Sequence, residues 1–264
     1  MSNSIALPQQ DAVIQKVNAA SNGFAAALAD RIGADRFVRA AVTSIRTNRQ
    51  LAQCDELSIL GGLFVAAQLA LEIGGPRGLA YLVPYGREAQ LIVGYRGYVE
   101  LFYRAGARKV EWFIVREGDE FRQWSTGSGG RDYQWTPLNT DTDRPLVGAV
   151  AQIQGAQGEF QFEYMSKAQI NERRPKRATS GPWADWYEEM ALKTVMRQLA
   201  KTARQSTDEL ALAASNDGAV ITQVEGGPVR VVHPPTAEPE QPVNLDELDP
   251  LQATPEEEAE RANA

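Results

Sequence analysis

The sequence predicts an α+β fold in which antiparallel β-hairpins pack with helices. Three observations support this prediction. Apolar residues recur at helical spacing over the first 75 residues, short apolar runs separated by glycine-containing turns fill residues 80–164, and a long helical pattern follows at 182–204. Because helices and strands are segregated along the chain instead of alternating, the strands are expected to pair as neighbours and antiparallel.

The first part of the chain is predicted to be helical. Residues 1–30 are alanine-rich and are interpreted as an N-terminal arm, a candidate for oligomer contacts. A helix is expected over 33–48, where one stripe carries apolar side chains, namely Phe37, Val38, Ala41, Val42 and Ile45. A second helix is expected over 56–72, with Asp55 as its N-cap and the pair Gly74-Gly75 at its end.

Hairpins dominate the middle of the chain. Apolar runs at 80–85 and 89–93 flank the turn 86–88 and predict a β-hairpin. A short helix is expected at 97–105, followed by Gly106 as its C-terminal stop. Further strands are predicted at 110–116, 121–124, 146–154 and 159–164. The last helix, 182–204, begins with Pro182, which suits a first helical turn.

Composition limits the classes of protein that the sequence can represent. A chain of 264 residues that is 43% apolar predicts one main domain, taken here as 31–210. No apolar run approaches the roughly 18 residues of a membrane span, and the start MSNSIALPQQ does not resemble a secretory leader. With Cys54 and His233 as the single cysteine and histidine, disulfide scaffolds and zinc modules are excluded. No cofactor is expected.

Charge is distributed unevenly along the chain. The formal net charge is −7, but residues 211–264 hold eleven acids and two bases, which leaves 25 bases and 23 acids in residues 1–210. Within that body, residues 166–204 hold nine bases and four acids. The acid- and proline-rich segment 211–264 is predicted to be a disordered tail that is not needed for the function of the body.

A basic stripe on the last predicted helix is the clearest candidate site. Lys193, Arg197, Lys201 and Arg204 are spaced by four, four and three residues, so they project from one helical face. No acid lies between the first and the last of them, although solvated helical faces usually mix the two signs. The pattern indicates phosphate binding, and an ordinary solvated surface is the alternative.

Two further groups are candidates for contacts with nucleic acid. Aromatic and arginine side chains alternate in and after the first hairpin, where they form either a stacking platform or part of the core: Tyr81, Tyr85, Arg87, Tyr95, Arg96 and Tyr98. Four cations cluster in a loop before the last helix, which is a candidate phosphate clamp: Arg173, Arg174, Lys176 and Arg177.

The sequence contains little that supports an enzymatic function. The phosphate-binding pattern G-x-x-x-x-G-K-[ST] is absent, which argues against ATP-driven strand exchange. The one histidine lies in the predicted tail, which argues against Ser/His/Asp catalysis. A metal-dependent, structure-specific nuclease is the alternative to nucleic-acid binding without catalysis. Its nearest candidate metal ligands are Glu117, Asp119 and Glu120, but these residues are more typical of a turn between two strands. A structural phage component is a second alternative.

Four ordered segments, spread over some 140 residues, resemble the RecT family of phage and prophage single-strand DNA annealing proteins. The segments are LALEIG at 69–74, AYLVPYGREAQLIVGYRG at 80–97, VREGDEF at 115–121 and GPWADWYEEMALKTVMRQLAK at 181–201. The resemblance implies a non-catalytic recombinase that coats single-stranded DNA as a homo-oligomeric ring or helical filament and anneals it to a complement without ATP.

The resemblance also implies partners and a location. The partners are single-stranded DNA, its annealed duplex, further copies of the chain, and an exonuclease or host single-strand-binding protein, with no membrane partner. The location is the cytoplasm of a bacterial host cell. A requirement for Mg²⁺ is left open, although no cluster of candidate ligands in the sequence indicates one.

Overall fold

Three antiparallel sheets, nine α-helices and one short 3₁₀ helix (Leu51–Gln53) lie in the part of the chain that the computed structural model describes, residues 6–127, 130–174, 182–204, 207–223 and 229–233. The helices are α1 (Ala6–Ala19), α2 (Ser21–Leu28), α3 (Ala34–Thr47), α4 (Glu56–Gln68), α5 (Tyr95–Arg104), α6 (Lys167–Arg173), α7 (Pro182–Asp185), α8 (Tyr187–Thr202) and α9 (Asp208–Asn216). The strands are β1 (Ala80–Tyr85), β2 (Glu88–Val93), β3 (Lys109–Arg116), β4 (Glu120–Ser125), β5 (Arg131–Thr136), β6 (Leu146–Gln154), β7 (Phe160–Ser166), β8 (Ala219–Gln223) and β9 (Val229–His233). Antiparallel sheets packed with helices confirm the predicted fold class.

The chain divides into two compact units. Unit 1 comprises residues 1–94 and 216–264, and unit 2 comprises residues 95–215. Unit 1 therefore contains both ends of the chain, and its sheet has the strand order β1-β2-β8-β9. Among the described helices, none is long and apolar enough to cross a membrane.

The N-terminal helices belong to the core of unit 1. Residues 1–30, predicted as an arm, contain α1 and α2, and Val17 and Phe24 are fully buried. The ring of Phe24 lies 5.6 Å from that of Phe37 in α3 and 4.6 Å from that of Phe64 in α4. The helical prediction is correct, but these residues pack within their own unit instead of extending from it. Their role in oligomer contacts stays a prediction.

Helices α3 and α4 follow the predicted pattern closely. The carboxylate of Asp55 accepts a hydrogen bond from the backbone N–H of Ser58 at 3.1 Å, as expected of an N-cap. Helix α4 ends at Gln68, earlier than the predicted residue 72. The chain leaves the helix at Ala70, whose φ of +47° lies in the left-handed region and interrupts the helical path before the glycine pair.

The boundary predicted at residue 211 is wrong. Helix α9 and strands β8 and β9 occupy residues that the composition assigned to a disordered tail. Strand β8 pairs with β2, and its Val220 and Ile221 are fully buried. Five-residue apolar strands are easily missed beside a long acidic segment, because the average composition of the segment hides them. Residues 234–264 of the predicted tail lie outside the described residues.

A close contact between α4 and β8 explains how β8 is held. A Cβ on Gly61 would lie 2.3 Å from the carbonyl oxygen of Ile221, and one on Gly62 would lie 2.6 Å from a methyl of Leu82. The two glycines therefore allow the helix to approach the sheet closely. The buried carboxylate of Asp217 also accepts a hydrogen bond from the N–H of Val93 at 3.0 Å.

Unit 2 is built on the sheet β3-β6-β7. Helix α8 packs against β6 and β7, and the β4–β5 hairpin covers the face that bears Phe113 and Tyr164. The ring of Trp135 stacks on Phe113 at 4.0 Å, and that of Phe121 stacks on Tyr164 at 4.4 Å. Strand β5 was not predicted, and neither was α6, which begins at a Ser166 capping box.

The helix predicted over 182–204 is two helices. Trp186, with φ of −129° and ψ of 50°, separates α7 from α8, and α8 ends at Thr202. Ala203 has an extended backbone, so Arg204 lies beyond the helix. This correction matters because Arg204 was placed on the same helical face as the three preceding cations.

Candidate nucleic-acid interface

Helix α8 presents its basic residues from a firmly packed position. Its buried face consists of Ala191, Val195, Met196, Leu199 and Ala200. Lys193 and Arg197 are partly exposed and Lys201 is exposed. No acid interrupts the face between Lys193 and the end of the helix. The three cations therefore lie along a rigid support, which is what a phosphate-binding surface needs.

Two members of the predicted stripe differ from expectation. The guanidinium Nε of Arg197 donates a hydrogen bond to the backbone carbonyl of Ala214 at 2.9 Å, in the last turn of α9. A cation at this position satisfies a C-terminal carbonyl and complements the negative end of the helix dipole. Arg204 is exposed, and its backbone N–H donates to the side-chain oxygen of Gln161 at 2.9 Å.

An aromatic pair stands at the start of α5. The Tyr95 and Trp112 rings lie 5.5 Å apart, and the guanidinium of Arg96 lies 5.8 Å from the centre of the Tyr95 ring. Arg96 also donates through Nε to the Tyr95 hydroxyl at 3.2 Å. Tyr95 and Trp112 are both partly exposed. Trp112 was not singled out from the sequence, because its pairing depends on the contact of β3 with α5.

The hairpin residues lie in unit 1. Tyr81 is partly exposed and packs with Val83 and Ile92 in a small cluster, and a Cβ on Gly78 would lie 2.6 Å from its hydroxyl. Tyr85 is also partly exposed, and Arg87 is exposed at the turn. The carbonyl of Arg87 accepts a hydrogen bond from the N–H of Asp55, which anchors the turn to α4. A packing role accounts for Tyr81, and a role in stacking stays a prediction.

The predicted basic loop is described only in part. Arg173 ends α6, is exposed, and donates to the carbonyl of Gln169 at 3.0 Å. Arg174 follows as the C-cap of α6. Lys176 and Arg177 lie outside the described residues. The phosphate clamp therefore stays a prediction, with Arg173 and Arg174 placed in unit 2.

The candidate carboxylates of a nuclease do not converge. The side chain of Asp119 is buried and pairs with Arg144, whereas Glu117 and Glu120 are exposed. Within the described ranges, no group of three or more His, Cys, Asp or Glu side chains is arranged to hold a metal ion. The thiol of Cys54 is buried, and burial raises its pKa to about 11, so it stays protonated at neutral pH.

The sequence matches known proteins over most of its length. The model of the RecT family matches residues 35–228. The chain is 38% identical over 188 residues to Protein RecT of Escherichia coli (strain K12), covering 67% of this chain and 69% of that protein. It is 29% identical over 166 residues to the uncharacterized protein YqaK of Bacillus subtilis (strain 168), covering 62% of this chain and 57% of that protein. With the matched region spanning both the β1–β2 hairpin and α8, the chain belongs to the RecT family of DNA recombination proteins.

Proposed function

We propose that this protein binds single-stranded DNA and anneals complementary strands without hydrolysing ATP. The observation that carries the proposal is the stretch of α8 from Lys193 to Thr202, which contains no acid and displays Lys193 and Lys201 on a helix with a buried opposite face. Cations in this arrangement contact phosphates without reading sequence. Membership of the RecT family supports the same function.

Annealing of this kind does not require the protein to hydrolyse a nucleotide. Phosphates that are bound along a row of cations hold a strand extended, and its bases remain available to a complement. Base pairing then supplies the free energy, and the protein contributes alignment and a high local concentration. Tyr95 and Arg96, beside Trp112, are the residues of unit 2 best suited to contact an unpaired base.

The proposal includes self-association and partners. Coating a strand in register needs many copies, and an asymmetric contact between identical chains produces rings or helical filaments. Electron micrographs of the protein with and without single-stranded DNA test this part. An exonuclease or a host single-strand-binding protein supplies or hands over the strand in this scheme, and co-purification with each one tests it.

Salt dependence provides the sharpest test of the phosphate contacts. Lys193→Ala and Lys201→Ala are each expected to weaken binding to all single-stranded sequences. Each is also expected to reduce the slope of log K against log salt by about 0.7, the contribution of one phosphate contact. Arg39→Ala, which removes an exposed cation from α3, is the control and should leave the slope unchanged.

Annealing is measured separately with two labelled complementary strands in the absence of nucleotide. The wild type should accelerate pairing, and the two α8 variants should do so less at moderate salt. Wild-type binding that does not respond to salt, or unchanged slopes in both lysine variants, would contradict the assignment. Cleavage of the labelled single strand with Mg²⁺ would favour the nuclease instead.

A further inference from the structure

One end of the unit 2 sheet carries a row of exposed side chains. Lys109 in β3 pairs with Gln154 in β6, which pairs with Phe160 in β7. Directly paired residues of an antiparallel sheet project from the same face, so the three side chains lie side by side. The Lys109 side chain is 59% exposed and Phe160 is 41% exposed, a high value for a phenylalanine.

The row borders a shallow hollow of about 200 Å³. Its remaining lining is Glu111, Gln152 and Ile153. The Phe160 ring is supported from inside the unit, because its centre lies 5.9 Å from those of Tyr133 and Phe162. A ring that is supported in this way and still accessible is a platform for another flat group.

Positive charge gathers at the same end of the sheet. Arg108 is exposed, and its backbone N–H donates to the carbonyl of Gln154 at 2.8 Å. The N–H of Arg204 donates to the side chain of Gln161, which follows Phe160 in β7 and projects from the opposite face of the sheet. A second exposed arginine therefore lies at this end of the sheet, on its other face. Within the described part of the chain, neither guanidinium takes part in an ion pair.

Two acids also face this region, and both already have partners. Glu111 forms an ion pair with Lys109 at 2.9 Å and accepts a hydrogen bond from Gln152. Glu159, in the turn before β7, accepts a hydrogen bond from the N–H of Gln157 at 2.9 Å. The local balance of charge favours an anionic ligand, with the two arginines as its contacts.

We propose that this hollow holds an unpaired nucleobase of the bound single strand, stacked on Phe160, while Arg108 and Arg204 contact the adjoining phosphates. An aromatic platform bordered by exposed cations is the arrangement by which single-stranded nucleic acids are held without sequence preference. The exposed carboxamide of Gln154 lies beside the platform and offers a donor and an acceptor to a base edge. The inference rests on the proposed binding of single-stranded DNA and adds a specific base contact to it.

Replacing the ring while varying the ligand tests the inference. Binding of full-length wild type, Phe160→Ala, Phe160→Leu and Phe160→Tyr is compared on an oligothymidylate and on an abasic strand of equal length. Phe160→Ala and Phe160→Leu should weaken binding of the oligothymidylate by roughly 5- to 150-fold, the equivalent of about 1–3 kcal/mol for one stacked base. Binding of the abasic strand should not change, and Phe160→Tyr should bind like the wild type.

Control variants separate stacking from general loss of structure. Phe160→Leu keeps apolar contact with Tyr133 and Phe162 but lacks the flat ring, so it tests the platform even where Phe160→Ala is less stable. Trp124→Ala, which removes another exposed aromatic residue from unit 2, should bind both strands like the wild type. Arg108→Ala and Arg204→Ala should each flatten the salt dependence on both strands by about 0.7.

Two outcomes would overturn the inference. Unchanged binding of the oligothymidylate by both Phe160→Ala and Phe160→Leu would remove the stacked base from this hollow. Equal losses on the oligothymidylate and the abasic strand would assign Phe160 to packing alone. In both cases wild-type binding and annealing remain, whereas failure of the wild type to bind any single strand would overturn the proposed function itself.

Discussion

The carboxylate of Asp119 is 1% exposed and is surrounded by donors. It accepts hydrogen bonds from the N–H of Arg116, the N–H of Leu138 and the indole of Trp135, and it pairs with Arg144 at 2.7 Å. Burial raises the pKa of Asp119, but these hydrogen bonds outweigh it and hold the pKa well below the ordinary value. The side chain therefore holds the 137–145 loop against β3 and β5.

Asp119→Asn is expected to destabilise unit 2 by about 3 kcal/mol at neutral pH, because it breaks a buried ion pair. An aspartate with a lowered pKa stabilises the fold above its unfolded-state pKa of about 3.9 and loses this contribution as the pH falls. The difference in the free energy of unfolding between the variant and the wild type should therefore be constant near neutral pH and become smaller below about pH 4. Urea unfolding followed by tryptophan fluorescence reports on unit 2, since all five tryptophans lie between residues 112 and 186. Glu120→Gln is the control, and a gap that does not vary with pH would contradict the assignment.

Arg197 is expected to act in stability as well as in DNA binding. Its hydrogen bond to the Ala214 carbonyl joins α8 to the last turn of α9. Arg197→Ala should lower the free energy of unfolding by about 1.5–3 kcal/mol, the usual range for a hydrogen bond to a charged group. Lys193→Ala should have a smaller effect on unfolding while still reducing the salt slope. Equal free energies of unfolding for the Arg197→Ala variant and the wild type would leave DNA binding as the only role assigned to Arg197.

At the scale of elements, the contact of α4 with β8 depends on the absence of a side chain at Gly61. Alanine usually stabilises a helix relative to glycine by about 1 kcal/mol. Here Gly61→Ala should instead destabilise unit 1 by about 1–3 kcal/mol, because its Cβ would overlap the Ile221 carbonyl. Far-ultraviolet circular dichroism during thermal unfolding measures the change. Gly33→Ala, at a position with no atom within 4 Å of the added Cβ, is the control, and a stabilised Gly61→Ala variant would contradict the close contact.

For the whole molecule, the end of strand β9 decides how far the chain can be shortened while unit 1 keeps its fold. A chain ending after Asn216 loses β8 and β9, and with them the buried Val220 and Ile221 and the hydrogen bond from Val93 to Asp217. This chain should lose the cooperative unfolding of unit 1, whereas one ending after His233 should retain it. Calorimetry of the two truncated chains measures the difference. Equal unfolding of both would mean that β8 contributes little to unit 1.

The acidic segment after His233 gives a second prediction for the whole molecule. Residues 234–264 contain nine acids and one base, and this charge should compete with DNA phosphates at low ionic strength. The chain ending after His233 should therefore bind single-stranded DNA more tightly than the full chain. The difference should shrink near 0.1 M salt, where the Debye length is about 10 Å. The shortened chain should still anneal, and a folded but inactive one would assign the segment a direct part in pairing.

By itself, the sequence determined the type and position of most elements, the family and the basic face of α8. Each of these follows from residues close together in the chain: the stripe in α3, the cap at Asp55, and the spacing of Lys193, Arg197 and Lys201. Strand β5 escaped prediction because its apolar residues are isolated aromatics, Tyr133 and Trp135, whose burial depends on the sheet beneath them.

Only the tertiary structure decided which distant residues share a surface or a hydrogen bond. Val93 and Asp217 lie 124 positions apart, and the row of Lys109, Gln154 and Phe160 depends on the register of three strands. The acceptor that Arg197 finds in Ala214 likewise depends on how α9 turns back after α8. Local periodicity specifies which face of an element is apolar. Strand register and packing partners are set by how whole surfaces fit together, and the sequence of one segment does not contain that information.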